Sequence, residues 1–69
     1  MPDDYTVNFR NVQDEARPER DGVVRYRRYD FYIGKHGPFT ERVPLDGFTD
    51  AEITRRVEAL RAHLRTLPH

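Results

Sequence analysis

The side chains able to do chemistry are few in this 69-residue chain, and their spacing does not gather them. His36, His63 and His69 lie too far apart in sequence to suggest a metal site. His63 has neither a histidine nor a carboxylate four residues away, and His36 falls in a glycine turn. There is no cysteine, hence no thiol nucleophile, disulfide framework or thiolate metal site. Serine is absent too, which leaves Thr6, Thr40, Thr49, Thr54, Thr66 and the tyrosines as hydroxyl groups. The adjacent acids Asp3-Asp4 and Asp14-Glu15 fall in a terminus and in a charged loop. Gly34-Lys35-His36-Gly37 lacks the strand–loop–helix setting of a phosphate loop. A domain this small also has little room for a deep cleft. The chain is therefore expected not to be an enzyme, with no catalytic centre, no metal and no cofactor.

A second pattern interleaves arginine with aromatic residues: Arg25-Tyr26-Arg27-Arg28-Tyr29-Asp30-Phe31-Tyr32. Such pairings hold single-stranded nucleic acid by stacking bases on rings and placing cations on phosphate. On a strand, Tyr26, Arg28 and Tyr32 would share one face, and the residues singled out for this role are Arg25, Tyr26, Arg27, Arg28 and Tyr32. The competing reading is a strand whose aromatics fill the core while arginines lie over them. The stretch lacks the glycine–aromatic signature of an RNA-recognition motif. Twelve basic residues also balance twelve acidic ones, whereas affinity for phosphate backbones draws on a basic excess. The balance conceals a gradient: residues 1–21 carry net −3, residues 22–43 net +3, and residues 44–69 none.

The clearest element to position any of these groups is a helix over residues 49–67. Ile53, Val57, Leu60, Leu64 and Leu67 recur at steps of 4, 3, 4 and 3, a narrow apolar stripe at helical periodicity. Thr49 and Glu52 fit a capping box, with Phe48 and Ile53 as its hydrophobic staple. Asp50 and Glu52 suit the positive end of the helix dipole, Arg61 and Arg65 the negative end. Pro68 is expected to stop the helix. Upstream, Tyr5, Val7 and Phe9 alternate with polar residues, as do Tyr29, Phe31 and Ile33, while Phe39 and Val43 flank Thr40, Glu41 and Arg42. Period-two patterns rich in aromatic and β-branched residues read as half-buried strands. Residues 14–22, charged and holding Pro18 and Asp21-Gly22, read as the loop of the first hairpin. Gly34-Lys35-His36-Gly37-Pro38 reads as the second turn.

Apolar matching suggests a register. Tyr5, Val7, Phe9 and Val12 would face Ile33, Phe31, Tyr29 and Tyr26, and Ile33 would face Phe39, which sets Asp30 against Arg42. The expected fold is α+β: a three-stranded antiparallel β-meander with one C-terminal α-helix packed on one face, in β-β-β-α order. Phe9 and Val12 are three residues apart, as are Tyr26 and Tyr29, so each pair points to opposite faces of a regular strand. Either Val12, Val24 and Tyr26 form an apolar patch away from the helix, or bulges at Arg10-Asn11 and Arg27-Arg28 return them to a common face. The first alternative makes these three residues a protein interface.

Hydrophobic residues make up 36% of the chain and charged residues 35%, which suits one marginal domain over residues 1–69 with residues 1–4 flexible. No apolar run is long enough for a membrane helix or the core of a signal peptide. No membrane partner is expected, and the location is expected to be cytoplasmic, or a virion for a phage product. The element order resembles that of the arm-binding domains of tyrosine recombinases, which read the major groove with their sheet. That resemblance implies a DNA partner but rests on no motif in this chain. The reading favoured by the residues themselves is a small non-enzymatic interaction module, a subunit or adaptor of phage or mobile-element type, with a protein partner or self-association. The alternatives are a nucleic-acid-binding accessory protein using the Arg/Tyr strand, and a structural protein that dimerises through an open sheet edge.

Overall fold

In a computed structural model of the chain, which describes residues 4–67, three antiparallel strands precede one helix. β1 (Val7–Glu19), β2 (Gly22–Ile33) and β3 (His36–Pro44) form one sheet in the order β1-β2-β3, followed by α1 (Thr49–Thr66). This is the expected β-β-β-α fold. Pro68 lies outside the described residues, as do residues 1–3 of the segment expected to be flexible.

The core forms where alternation and helical periodicity meet. Tyr29, Phe31, Ile33 and Val43 on one sheet face pack against Ile53, Val57 and Leu64 of α1, and Phe31 and Ile33 have no exposed surface. Leu60 is only half-buried at the margin of this cluster, and Leu67 is 42% exposed. Rings cluster about Phe31: Phe9 and Phe39 lie 5.6 and 5.7 Å from it, centroid to centroid. At the far end of the helix, the Arg65 guanidinium lies 5.3 Å from the centre of the Tyr5 ring, which stacks on His36. These contacts fasten the end of α1 to the start of the sheet.

Both hairpins depart from the expected register for identifiable reasons. The first does not close through a loop over residues 14–22. β1 runs on to Glu19, and Arg20-Asp21 make the turn, followed by Gly22 at φ +128°. Pro18 is tolerated because β1 is an edge strand. The polar residues are held by cross-strand charge, with Asp14 opposite Arg27 and joined to it by an ion pair of 2.8 Å. A bulge at Arg10 then sets Val7 against Ile33, Phe9 against Phe31 and Val12 against Tyr29. The second hairpin turns in two residues, Gly34-Lys35, so that Ile33 pairs with His36. An irregularity at Gly37-Pro38, whose peptide is cis, brings Phe39 opposite Phe31. Asp30 therefore faces Thr40 rather than Arg42. Gly34, at φ +59°, is confined by its neighbours: a Cβ there would stand 1.7 Å from the Asp4 carbonyl oxygen.

The capping box does not form. The helix starts one residue early, with Phe48 as N-cap and no side-chain cap bond. The Thr49 hydroxyl instead donates to the Pro44 carbonyl at 3.1 Å, and Glu52 binds Arg55 and Arg56. Phe48 does not staple onto Ile53; it is 89% exposed.

Two stability measurements follow from this packing. Phe31→Ala should cost about 3–5 kcal/mol through lost burial and the cavity it leaves, with Leu60→Ala costing clearly less. Equal losses in urea titration would contradict the burial order. Phe48→Ser should stabilise the chain by roughly 0.5–2 kcal/mol, because it supplies the missing acceptor at a site where the ring is barely buried. A lowered melting temperature would mean that the ring packs.

Candidate interaction surface

Strand parity divides the sheet into two faces of different chemistry. Arg25, Arg27, Tyr29, Phe31 and Ile33 of β2 point to the helix side, and Tyr26, Arg28, Asp30 and Tyr32 point to the open side. Through the pairings of β1, Val12 joins Tyr29 on the helix side, while Val24 lies on the open side with Tyr26. The expected patch of Val12, Val24 and Tyr26 is therefore not assembled. The bulge at Arg10 brings Val12 round, and there is no matching bulge at Arg27-Arg28 to move the other two.

The open face is a polar lattice. Glu15 Oε1 sits between the guanidinium groups of Arg28 and Arg42, at 3.5 and 3.6 Å. Asp30 accepts from the Thr40 hydroxyl at 2.8 Å and from Asn11 Nδ2 at 3.4 Å, with Arg28 Nε also at 3.4 Å. The Thr40 hydrogen bond, followed by those of Asn11 and the nearby arginines, holds the Asp30 carboxyl below its usual range. The Tyr26 hydroxyl donates to Glu19 at 3.4 Å. Of the residues singled out for nucleic acid, Tyr26, Arg28 and Tyr32 do share this face, but Arg28 is held by two acids. Arg25 and Arg27 lie on the other face, where Arg27 donates through Nε and Nη2 to both oxygens of Asp14. That hydrogen bonding lowers the Asp14 carboxyl and raises the guanidinium. Of the three arginines among the five, Arg25 alone makes no ion pair among the described residues.

The helix side is different along β1. α1 sits over β2 and β3 and leaves the β1 flank uncovered. Phe9 remains 46% exposed although it touches Tyr29 and Phe31, and Val12 is 49% exposed. Between this flank and the helix runs a groove of about 410 Å³ lined by Val7, Phe9, Tyr29, Ile53, Thr54 and Val57. The sequence left Val12 between two faces, and the bulge that sets it on the helix side is one of the two alternatives weighed there. Phe9, counted there as core, is half exposed. The bulge settles the face of Val12 but not the exposure of Phe9, which follows from the helix lying over β2 and β3 rather than β1. Among the described residues, no group of three His, Cys, Asp or Glu side chains is placed to hold a metal ion.

The chain's charges make acid the natural probe of this surface. Asp14, Asp30 and Glu52 all have lowered carboxyl pKa values in the folded state, Glu52 at about 2 through its hydrogen bonds with Arg55 and Arg56. A carboxyl lowered by folding stabilises the fold above its unfolded pKa, and that contribution is lost as pH falls through the folded value. Melting temperature should thus decline from about pH 4.5 toward pH 2, and Glu52→Gln should flatten the decline. An unchanged acid profile in that variant would remove Glu52 from the account. Compared with known protein families, curated proteins and solved structures, the chain matches none.

Proposed function

We propose that this chain is a small non-enzymatic interaction module that builds into a larger assembly through the helix-side flank of β1. The observation that carries this reading is the placement of Phe9 and Val12: Phe9 touches the rings of Tyr29 and Phe31, Val12 pairs opposite Tyr29, and both are about half exposed on the helix side of an edge strand. Contiguous exposed apolar patches mark interaction sites, whereas apolar residues exposed singly are ordinary surface; here two lie on the same side of one edge strand. The open face supports a different role, since its arginines and acids neutralise one another. The nucleic-acid reading is correspondingly weaker. Binding of short single strands at about 50 mM salt, falling steeply as salt rises, would restore it.

Val12→Lys separates an interface from a core position. Its melting temperature should stay within a few degrees of wild type, because the side chain is already half in water. A tagged wild-type chain should be recovered from its native extract in a complex of fixed stoichiometry, or as an oligomer, and the variant should not. Recovery of the wild-type chain as a bare monomer would overturn the proposal.

A further inference from the structure

Two hydrogen bonds at the ends of β2 fix the bonding phase of the whole sheet. The Arg25 carbonyl accepts from Leu45 N at 3.0 Å, so Arg25 turns its polar groups toward β3. Gly34 N donates to the Thr6 carbonyl at 2.9 Å, so residue 34 turns toward β1. Bonding direction alternates along an antiparallel strand. Tyr26, Arg28 and Asp30 therefore bond inward to Glu15, Gln13 and Asn11, while Val12, Asp14 and Ala16 hold their N–H and C=O groups toward the open edge. The side chains of those three residues lie on the helix side. Residues 11–17 are regular between two interruptions, the bulge at Arg10 and the missing N–H of Pro18, each four residues from Asp14.

We infer that β1 pairs antiparallel with β1 of a second copy, about a two-fold axis at Asp14, joining two sheets into one of six strands with both helices on the same face. The inference rests on the interaction-module reading and names its partner. In this register all three free N–H groups of each copy find a carbonyl, which gives six hydrogen bonds across the axis. The two interruptions fall opposite each other, just beyond the ladder. On the helix side Val12 meets Ala16 of the second copy. On the open side Asn11 meets Arg17 and Gln13 meets Glu15, so no like charges oppose each other there. The one like-charge meeting is Asp14 with its image, and each carboxylate is already neutralised by its own Arg27 at 2.8 Å. An axis at Val12 would bring Arg10 near Asp14 but run the ladder into the bulge two residues away on either side. An axis at Ala16 would set Pro18, which has no N–H to give, against Asp14.

The test is sedimentation of the purified chain over a concentration series, combined with amide hydrogen exchange residue by residue. A dimer is expected in which the amides of Val12, Asp14 and Ala16 gain protection and lose it on dilution, while those of Asn11, Gln13 and Glu15 stay protected throughout. Ala16→Pro removes an N–H that the monomer does not use, and should raise the dimer dissociation constant at least tenfold with little change in melting. If that variant melts low, Val12→Lys, which leaves the backbone intact, decides by the same measurement. A chain that stays monomeric to about 1 mM, a dimer whose Val12, Asp14 and Ala16 amides exchange as freely as in the monomer, or a dimer untouched by both substitutions would each overturn the pairing. Monomeric purified chain that is still recovered in a complex lost in Val12→Lys would overturn pairing with itself while leaving the interaction-module reading in place.

Discussion

One helix cannot cover this sheet. The 18 residues of α1 span about 27 Å at 1.5 Å per residue, whereas the molecule is 49 Å long and 18 Å across. The helix is therefore committed to the place where burial is greatest, over Phe31 and Ile33 of the central strand and Val43 beside them. Everything else in the chain adjusts to what is left bare. The distal ribbon of β1 and β2 has no layer above it, so it is built from residues that can live in water on both faces. The β1 flank has apolar side chains next to the core but no helix over them.

The ribbon shows how a polar sequence can still be a strand. Thirteen residues of β1 contain little that marks a strand beyond Val7 and Phe9, and Asp14 to Glu19 look like a solvated loop. What makes them pair is opposition of charge across the ladder: Asp14 to Arg27, and Glu15 to Arg28 and Arg42. Each such exposed pair contributes little by itself, on the order of 0–1 kcal/mol. They favour pairing of the two strands rather than one register, since a shift by one residue would still set Glu15 opposite Arg25 or Arg27. What such a shift would cost is the exchange of every β1 side chain between the two faces. The net −3 of residues 1–21 and net +3 of residues 22–43 are the sequence-level trace of that pairing.

The fold was legible in the sequence because its strongest signals are periodic. The stripe from Ile53 to Leu64 and the alternation of Tyr29, Phe31 and Ile33 could only be a helix and a strand packed together. Register was less legible because it depends on single-residue events. One extra residue at Arg10 set Val12 on the helix face, and a two-residue turn at Gly34-Lys35 together with the irregularity at Gly37-Pro38 moved Phe39 from Ile33 to Phe31. The helix start failed in the same way: by beginning one residue early it turned a staple residue, Phe48, into an exposed cap. Of the three residues weighed from sequence as an interface, the single bulge at Arg10 separates Val12 from Val24 and Tyr26.

The two sheet edges are not equivalent, and the difference bears on what the protein can join. The same bonding phase that frees Val12, Asp14 and Ala16 on β1 turns Thr40 and Arg42 outward on β3, between Pro38 and Pro44. Proline at both ends leaves β3 only a short stretch with donors to offer, a common way of closing a sheet edge to other strands. Its outward side chains lie on the open face, where Thr40 already donates a hydrogen bond to Asp30 and Arg42 already pairs with Glu15. On β1 the outward groups belong to residues on the side the helix leaves bare, so a strand arriving there would gain hydrogen bonds and apolar contact together. Backbone pairing gives affinity and side chains on the shared face give selectivity. In this chain both are available along one edge only, and that edge is the one beside Phe9.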